Sequence, residues 1–228
     1  MGTDPKQLDR RRFLTFAAAA GGLAVVGPSV LSACSLQDAS ADDPADANPK
    51  ARFGGELVDP GLSMPDVTLT NMDGSPFPLR EKAKGRLAML LFGYTSCPDV
   101  CPVYLSTIAR SIEAVGSWPD QDPMVLFVGV DVARDTPEQL KKYLGRINPT
   151  FIGLTGSEKD IAEANRQLYL PPITIGTPDA NGDYVVGHSA KAMAFTPDGL
   201  AHRIYPAAET RQAQWIKDLP RLAAGQYK

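Results

Sequence analysis

The chain has 228 residues, 43% of them hydrophobic, with 23 Lys and Arg against 26 Asp and Glu and a formal net charge of −3. A weakly acidic balance with no basic stripe argues against nucleic-acid binding. No internal repeat is visible, and the composition is that of a globular domain long enough to bury a core.

The first segment, 1–33, has the layout of a targeting signal. Asp9-Arg-Arg-Arg-Phe-Leu-Thr15 leads into an alanine- and glycine-rich run that carries no charge from Phe13 to Gln37. Arg10 and Arg11 ahead of Arg12-Phe13-Leu14 resemble the twin-arginine export signature. The run is long enough to cross a bilayer, but Gly21, Gly22, Gly27 and Pro28 dilute it, and Leu31-Ser-Ala-Cys34 resembles a bacterial lipobox. The expectation is a signal peptide over 1–33 and a lipidated Cys34 as the new amino terminus, with a transmembrane anchor and an incidental thiol as the alternatives. On the first reading the protein is exported folded by the twin-arginine route and faces the periplasm or exterior of a bacterial cell envelope. Acyl chains then tether it to a membrane without spanning it. Residues 34–55 have almost no large apolar side chains and read as a flexible tether.

The folded domain is expected over 56–225. Short strands at Asp66–Thr70 and Phe77–Leu79 flank the turn Asn71-Met-Asp-Gly74 and form an N-terminal hairpin. Leu87–Tyr94 and Met124–Val130 are apolar runs of the kind buried on both faces of a central sheet. Helical patterns follow each, over Val103–Val115 and Glu138–Ile147. Thr136, Pro137 and Gln139 supply the second with a cap, a favourable first residue and a capping box. A strand at Phe151–Leu154, a helix at Ser157–Leu168, a hairpin of Ala192–Phe195 with Ala201–Tyr205 across Thr196-Pro-Asp-Gly199, and a helix from Glu209 to Ala223 complete the chain. Strand–helix alternation closed by a hairpin and helix predicts an α/β, thioredoxin-like sandwich with a mixed central sheet flanked by helices.

Cys97 and Cys101 lie in Gly93-Tyr-Thr-Ser-Cys-Pro-Asp-Val-Cys-Pro102, directly after the first central strand. A helix starting at Pro98 would place Pro102 in its second turn, at a cost of about 3 kcal/mol. A start near Cys101 removes the conflict and leaves Cys97 on the loop. Both sulfurs then face the positive end of the helix dipole, which favours thiolate. Three fates are open. A structural disulfide would close a very short loop and stabilise little; a redox dithiol usually has one residue fewer between its cysteines; a soft metal such as Cu(I) suits two thiolates and an imidazole. His188 precedes a hairpin strand expected beside the cysteine loop, whereas His202 lies within the outer hairpin strand.

Phe92-Gly-Tyr-Thr-Ser-Cys-Pro-Asp-Val-Cys-Pro102, Asp131-Val-Ala-Arg-Asp-Thr-Pro137, Gly187-His-Ser189 and Thr196-Pro-Asp-Gly199, in this order, resemble the Sco/SenC family of copper-binding thioredoxin-fold proteins. The resemblance implies that Cys97, Cys101 and His188 bind copper, as Cu(I) or Cu(II), and that Asp131 helps to hold the site in shape. It implies a metallochaperone serving cytochrome c oxidase assembly, with the copper-binding subunit of the oxidase as partner and a thiol reductase as a candidate second partner. The alternative is a thiol–disulfide reductase acting on the oxidase's copper-ligating cysteines, in which Cys97 attacks and Cys101 resolves. Asp131 also reads simply as a strand-end carboxylate satisfying loop amides. The chain departs from the family's usual pattern at Gly187, where an acidic residue is common, and at Val132, where proline is common. Lys191 also interrupts the apolar pattern after His188.

Overall fold

The computed structural model describes residues 52–118 and 121–228; the expected signal over 1–33, Cys34 and most of the expected tether lie outside them. No helix among the described residues is long and apolar enough to cross a membrane. The elements run β1 (Glu56–Ser63), β2 (Thr68–Asn71), β3 (Pro76–Pro78), α1 (Leu79–Lys82), β4 (Ala88–Gly93), α2 (Val100–Val115), β5 (Met124–Gly129), α3 (Pro137–Gly145), β6 (Ile152–Thr155), α4 (Glu158–Gln167), β7 (Thr174–Ile175), β8 (Val186–Gly187), β9 (Lys191–Phe195), β10 (Leu200–Pro206) and α5 (Gln212–Ala223). Eight strands form one mixed sheet in the order β1-β10-β9-β4-β5-β6-β2-β3, and β7 with β8 forms a separate two-stranded ribbon.

The sheet grows outward from β4. All six of its residues are buried, and it pairs parallel to β5 in register from Ala88↔Met124 to Gly93↔Gly129. Because successive side chains point to opposite faces, Leu90 and Phe92 join Leu126, Val128, Phe195 and Ile161 on one side, while Met89 and Leu91 join Phe127, Leu105, Leu140 and Trp215 on the other. Helices therefore cover both faces, as a parallel pair of central strands requires. This is the thioredoxin-like α/β architecture expected from the sequence.

The helix starts follow their local chemistry. Thr136 accepts the Gln139 N–H at 3.3 Å at the head of α3, and Ser157 accepts the Asp160 N–H at 3.1 Å at the head of α4. Helix α2 begins at Val100 after Asp99, which puts Pro102 in the first turn, where its missing N–H leaves no gap.

One strand and both ends of the domain differ from expectation. Strand β1 has no counterpart in the sequence reading, because Asp59-Pro60-Gly61 interrupts its alternation; its pairing with β10 shifts register between Leu57 and Leu62. Residues 53–55 also belong to the packed domain and not to a tether. Phe53 is buried under the guanidinium groups of Arg203 and Arg221, 4.4 and 3.7 Å from its ring centre, and the Gly54 N–H donates to Asp218 Oδ2 at 2.6 Å. At the other end, Tyr227 stacks on His202 with ring centres 3.5 Å apart, so the packed chain runs past Gly225.

Candidate metal centre

The strand-to-helix turn after β4 sets the two thiols. The Cys97 N–H donates to the Tyr94 carbonyl at 3.1 Å, closing a turn, and the Cys101 N–H points at Cys97 Sγ at 3.5 Å. Gly93 is required beneath this turn: a Cβ there would stand 2.5 Å from the Phe127 ring and 3.1 Å from Cys101 Sγ. Both cysteines are free thiols, Cys97 half-buried and Cys101 buried.

Their acidities part. Burial alone would raise the Cys97 thiol, but the backbone N–H groups of Cys101, Asp99 and Val100 at the head of α2 bring it below the ordinary thiol value. Burial pushes Cys101 up to about 12, with the neighbouring Cys97 and the Asp135 carboxyl adding to the rise. The expectation that the helix dipole favours thiolate at both sulfurs therefore agrees with the direction at Cys97 and not with that at Cys101. Cys101, second in the helix, faces inward among Leu91, Phe92 and Phe127, where desolvation outweighs the dipole.

His188 follows β8 and arrives beside the thiols. Its Nε2 lies 4.0 Å from Cys101 Sγ, and the ring meets Tyr94 edge-on at 5.6 Å. Its Nδ1–H donates to the Ser189 carbonyl at 2.9 Å, which leaves the Nε2 lone pair facing the sulfur. His202, by contrast, is a structural residue of β10: its Nε2 pairs with Asp198 Oδ2 at 2.9 Å, under the Tyr227 ring.

Asp131 is buried but does not touch the sulfurs. It pairs with the Arg134 guanidinium and accepts the Tyr184 hydroxyl at 2.9 Å. Its own N–H donates to Asp135 Oδ2 at 3.1 Å. Asp135 in turn accepts the Thr95 N–H and hydroxyl, both at 2.8 Å. The carboxylate that grips the cysteine turn is thus Asp135, which sequence reading passed over although it stands in the Asp131–Pro137 motif. Burial raises its carboxyl, opposed by the Thr95 and Asp131 donors.

Among the described residues no three of His, Cys, Asp and Glu already stand close enough together to hold a metal ion. The donor chemistry nevertheless fits a soft one. Bonds of about 2.3 Å to sulfur and about 2.0 Å to nitrogen sum to about 4.3 Å, so a bent sulfur–metal–nitrogen bridge matches the 4.0 Å separation of Cys101 and His188. A small void of about 20 Å³ that both Cys101 and His188 line has mostly apolar walls, and Val100, exposed at its surface, lines it too. A larger cleft of about 330 Å³ lies away from the sulfurs, lined by Asp131, Val132, Glu158, Ile173, Ile175 and Tyr184.

Gly187 has a geometric reason. A Cβ at this position would stand 2.4 Å from Thr174 Oγ1 on the facing β7 strand, so the acidic residue common there in the family resembled would require the Thr174 side chain to turn away.

The profile of the SCO1/SenC family matches residues 60–224. The chain is 37% identical over 138 residues to the mitochondrial "Protein SCO2 homolog" of Bos taurus, covering 59% of this chain and 50% of the bovine one. It is 34% identical over 155 residues to an SCO2-like protein of Rickettsia conorii, covering 67% and 75%. The chain thus spans only half the length of the bovine relative. A structure of Bradyrhizobium japonicum ScoI with copper bound superposes with a TM-score of 0.62 and 30% identity, covering 71% of this chain and 99% of that one.

Proposed function

The chain belongs to the SCO1/SenC family, and we propose from this that it is a copper metallochaperone, binding copper through Cys97, Cys101 and His188 and delivering it for assembly of the copper centre of cytochrome c oxidase. The observation that carries the reading is the 4.0 Å approach of His188 Nε2 to Cys101 Sγ, with the other ring nitrogen already committed to Ser189. Copper displaces the Cys101 proton as it binds and draws the Cys97 sulfur and the imidazole together; the half-buried position of Cys97 on an exposed loop lets a partner's thiolate reach the metal and take it by ligand exchange. Export by the twin-arginine route, cleavage before Cys34 and acylation of that residue would hold the domain at a bacterial membrane, facing the periplasm or exterior, where the oxidase subunit stands.

The test is copper titration of the reduced full-length protein against His188→Ala. One copper per chain is expected, with affinity falling more than about 100-fold in the variant, since even outer-shell losses cost tenfold to hundredfold. Equal affinity in the two proteins would refute the ligand assignment.

The unequal thiols favour a second activity, thiol–disulfide reduction. Cys97 thiolate attacks a partner disulfide and expels one partner thiolate; Cys101 then displaces the second, leaving the partner as a dithiol and Cys97–Cys101 as the disulfide.

A further inference from the structure

The ribbon that delivers His188 is short, its ladder continued only by the Gly176 N–H donating to the Val185 carbonyl at 2.9 Å and the Asp179 N–H donating to the Asp183 carbonyl at 2.8 Å. β7 and β8 pair over two residues, Thr174↔Gly187 and Ile175↔Val186, and stand apart from the eight-stranded sheet. A two-stranded ribbon is at best marginally stable alone, so contacts beyond the ribbon, the burial of Val186 in the core among them, must help to place the imidazole ring.

 

Tyr184, four residues before His188, is gripped three ways. Its hydroxyl donates to Asp131 Oδ1 at 2.9 Å, its carbonyl accepts from the Arg134 guanidinium at 3.2 Å, and the same guanidinium lies 3.7 Å above its ring centre. Arg134 also pairs with the second Asp131 oxygen, so the phenol, the guanidinium and the carboxylate close on one another. Asp131 reaches Asp135 through its N–H, and Asp135 holds both donors of Thr95, two residues before Cys97. A continuous chain of hydrogen bonds therefore joins the histidine ribbon to the cysteine turn.

We propose that Tyr184 and Arg134 are positioning residues for His188, latching the β7–β8 ribbon to Asp131 and so setting the distance between the imidazole and the thiols. The inference rests on the copper reading for its consequence and on the hydrogen-bond chain for its geometry. Without the latch the thiols keep their turn, but the imidazole loses its registration against them. Copper then sits on two sulfurs with an intermittent third ligand and leaves faster.

The experiment compares wild type, Tyr184→Phe, Arg134→Lys, His188→Ala and the Tyr184→Phe/His188→Ala double variant, as reduced full-length proteins. Copper release to a chromophoric Cu(I) chelator, the Cys97–Cys101 reduction potential and, without metal, amide exchange at Val186 and His188 are measured. Tyr184→Phe keeps the ring under Arg134 and loses only the hydroxyl, so folding is preserved. Release about tenfold faster is expected, the scale of one hydrogen bond to a charged acceptor. The reduction potential should stay unchanged, amide exchange should quicken, and the same substitution should add less than about twofold in the His188→Ala background, as coupling through one residue demands. Arg134→Lys keeps the charge and loses the fork, and should fall between wild type and Tyr184→Phe. Full additivity in the double variant, or wild-type release from Tyr184→Phe while His188→Ala is impaired, overturns the latch. If His188→Ala holds copper as wild type does, the copper reading fails by itself, and amide exchange in the metal-free proteins still decides the latch: unchanged exchange in Tyr184→Phe overturns it.

Discussion

Cys97 and Cys101 are four residues apart and chemically unequal, since one sulfur receives the amides of a helix start and the other lies under the core. The inequality assigns roles in thiol exchange. Incubated with a disulfide-bonded peptide containing two cysteines, Cys101→Ser should accumulate a mixed disulfide through Cys97, whereas Cys97→Ser should accumulate none. Mass spectrometry of the unreduced adducts checks this, and equal trapping by both variants would contradict the assignment. The thiols were legible from residue type and spacing, His188 from its position before a strand expected beside the cysteine loop, and the proline argument located the helix start. Asp135, Tyr184 and Ser189 were not. Each acts through a hydrogen bond to a partner distant in sequence or through a backbone carbonyl, and nothing in a side chain's identity announces such a partner. The acidity of Cys101 escaped for a related reason: the helix dipole can be read from position, but burial beside Phe127 depends on how α2 packs.

At the scale of elements, α2 and β5 approach β4 so closely that Gly93 is the contact between them. Gly93→Ala would drive a methyl group into Phe127 and toward Cys101 Sγ. Overpacking of this kind costs about 1–3 kcal/mol, so the urea midpoint should fall and copper affinity with it; an unchanged midpoint would show that the strand and helix can separate freely. The central strands and the three long helices after them were legible because their apolar runs and caps are continuous. β1 was not, since Asp59-Pro60-Gly61 breaks the alternation and only its pairing with β10 makes it a strand. β7 and β8 escaped as well: two residues each carry no periodicity, and the ribbon exists through Gly187 passing close over Thr174.

Across the whole molecule, Asp218 gathers distant parts of the chain. Its Oδ2 accepts the Gly54 N–H at 2.6 Å and the Tyr205 hydroxyl at 3.0 Å, while Oδ1 finds no hydrogen-bond partner among the described residues and has the Lys217 ammonium 3.8 Å away. Burial raises this carboxyl above its ordinary value of 3.8, against the pull of Gly54 and Tyr205. The folded state therefore holds more protons than the unfolded one in the range just above that value, and this residue's contribution to stability falls as pH climbs through it. An Asn side chain can accept the same two hydrogen bonds without the charge. The stability of Asp218→Asn relative to wild type should therefore improve from pH 4 to pH 7, measured by urea midpoints; a decline over that range would contradict the sign.

The cleft of about 330 Å³ shares Asp131 and Tyr184 with the contacts that hold the histidine ribbon. If the proposed latch holds, a small molecule that settled there and shifted the tyrosine would change how firmly copper is bound, and copper would alter that molecule's affinity by the same factor, because coupling between two binding equilibria is reciprocal. On the proposed copper-binding reading, the metal would then be felt, and influenced, from a second face.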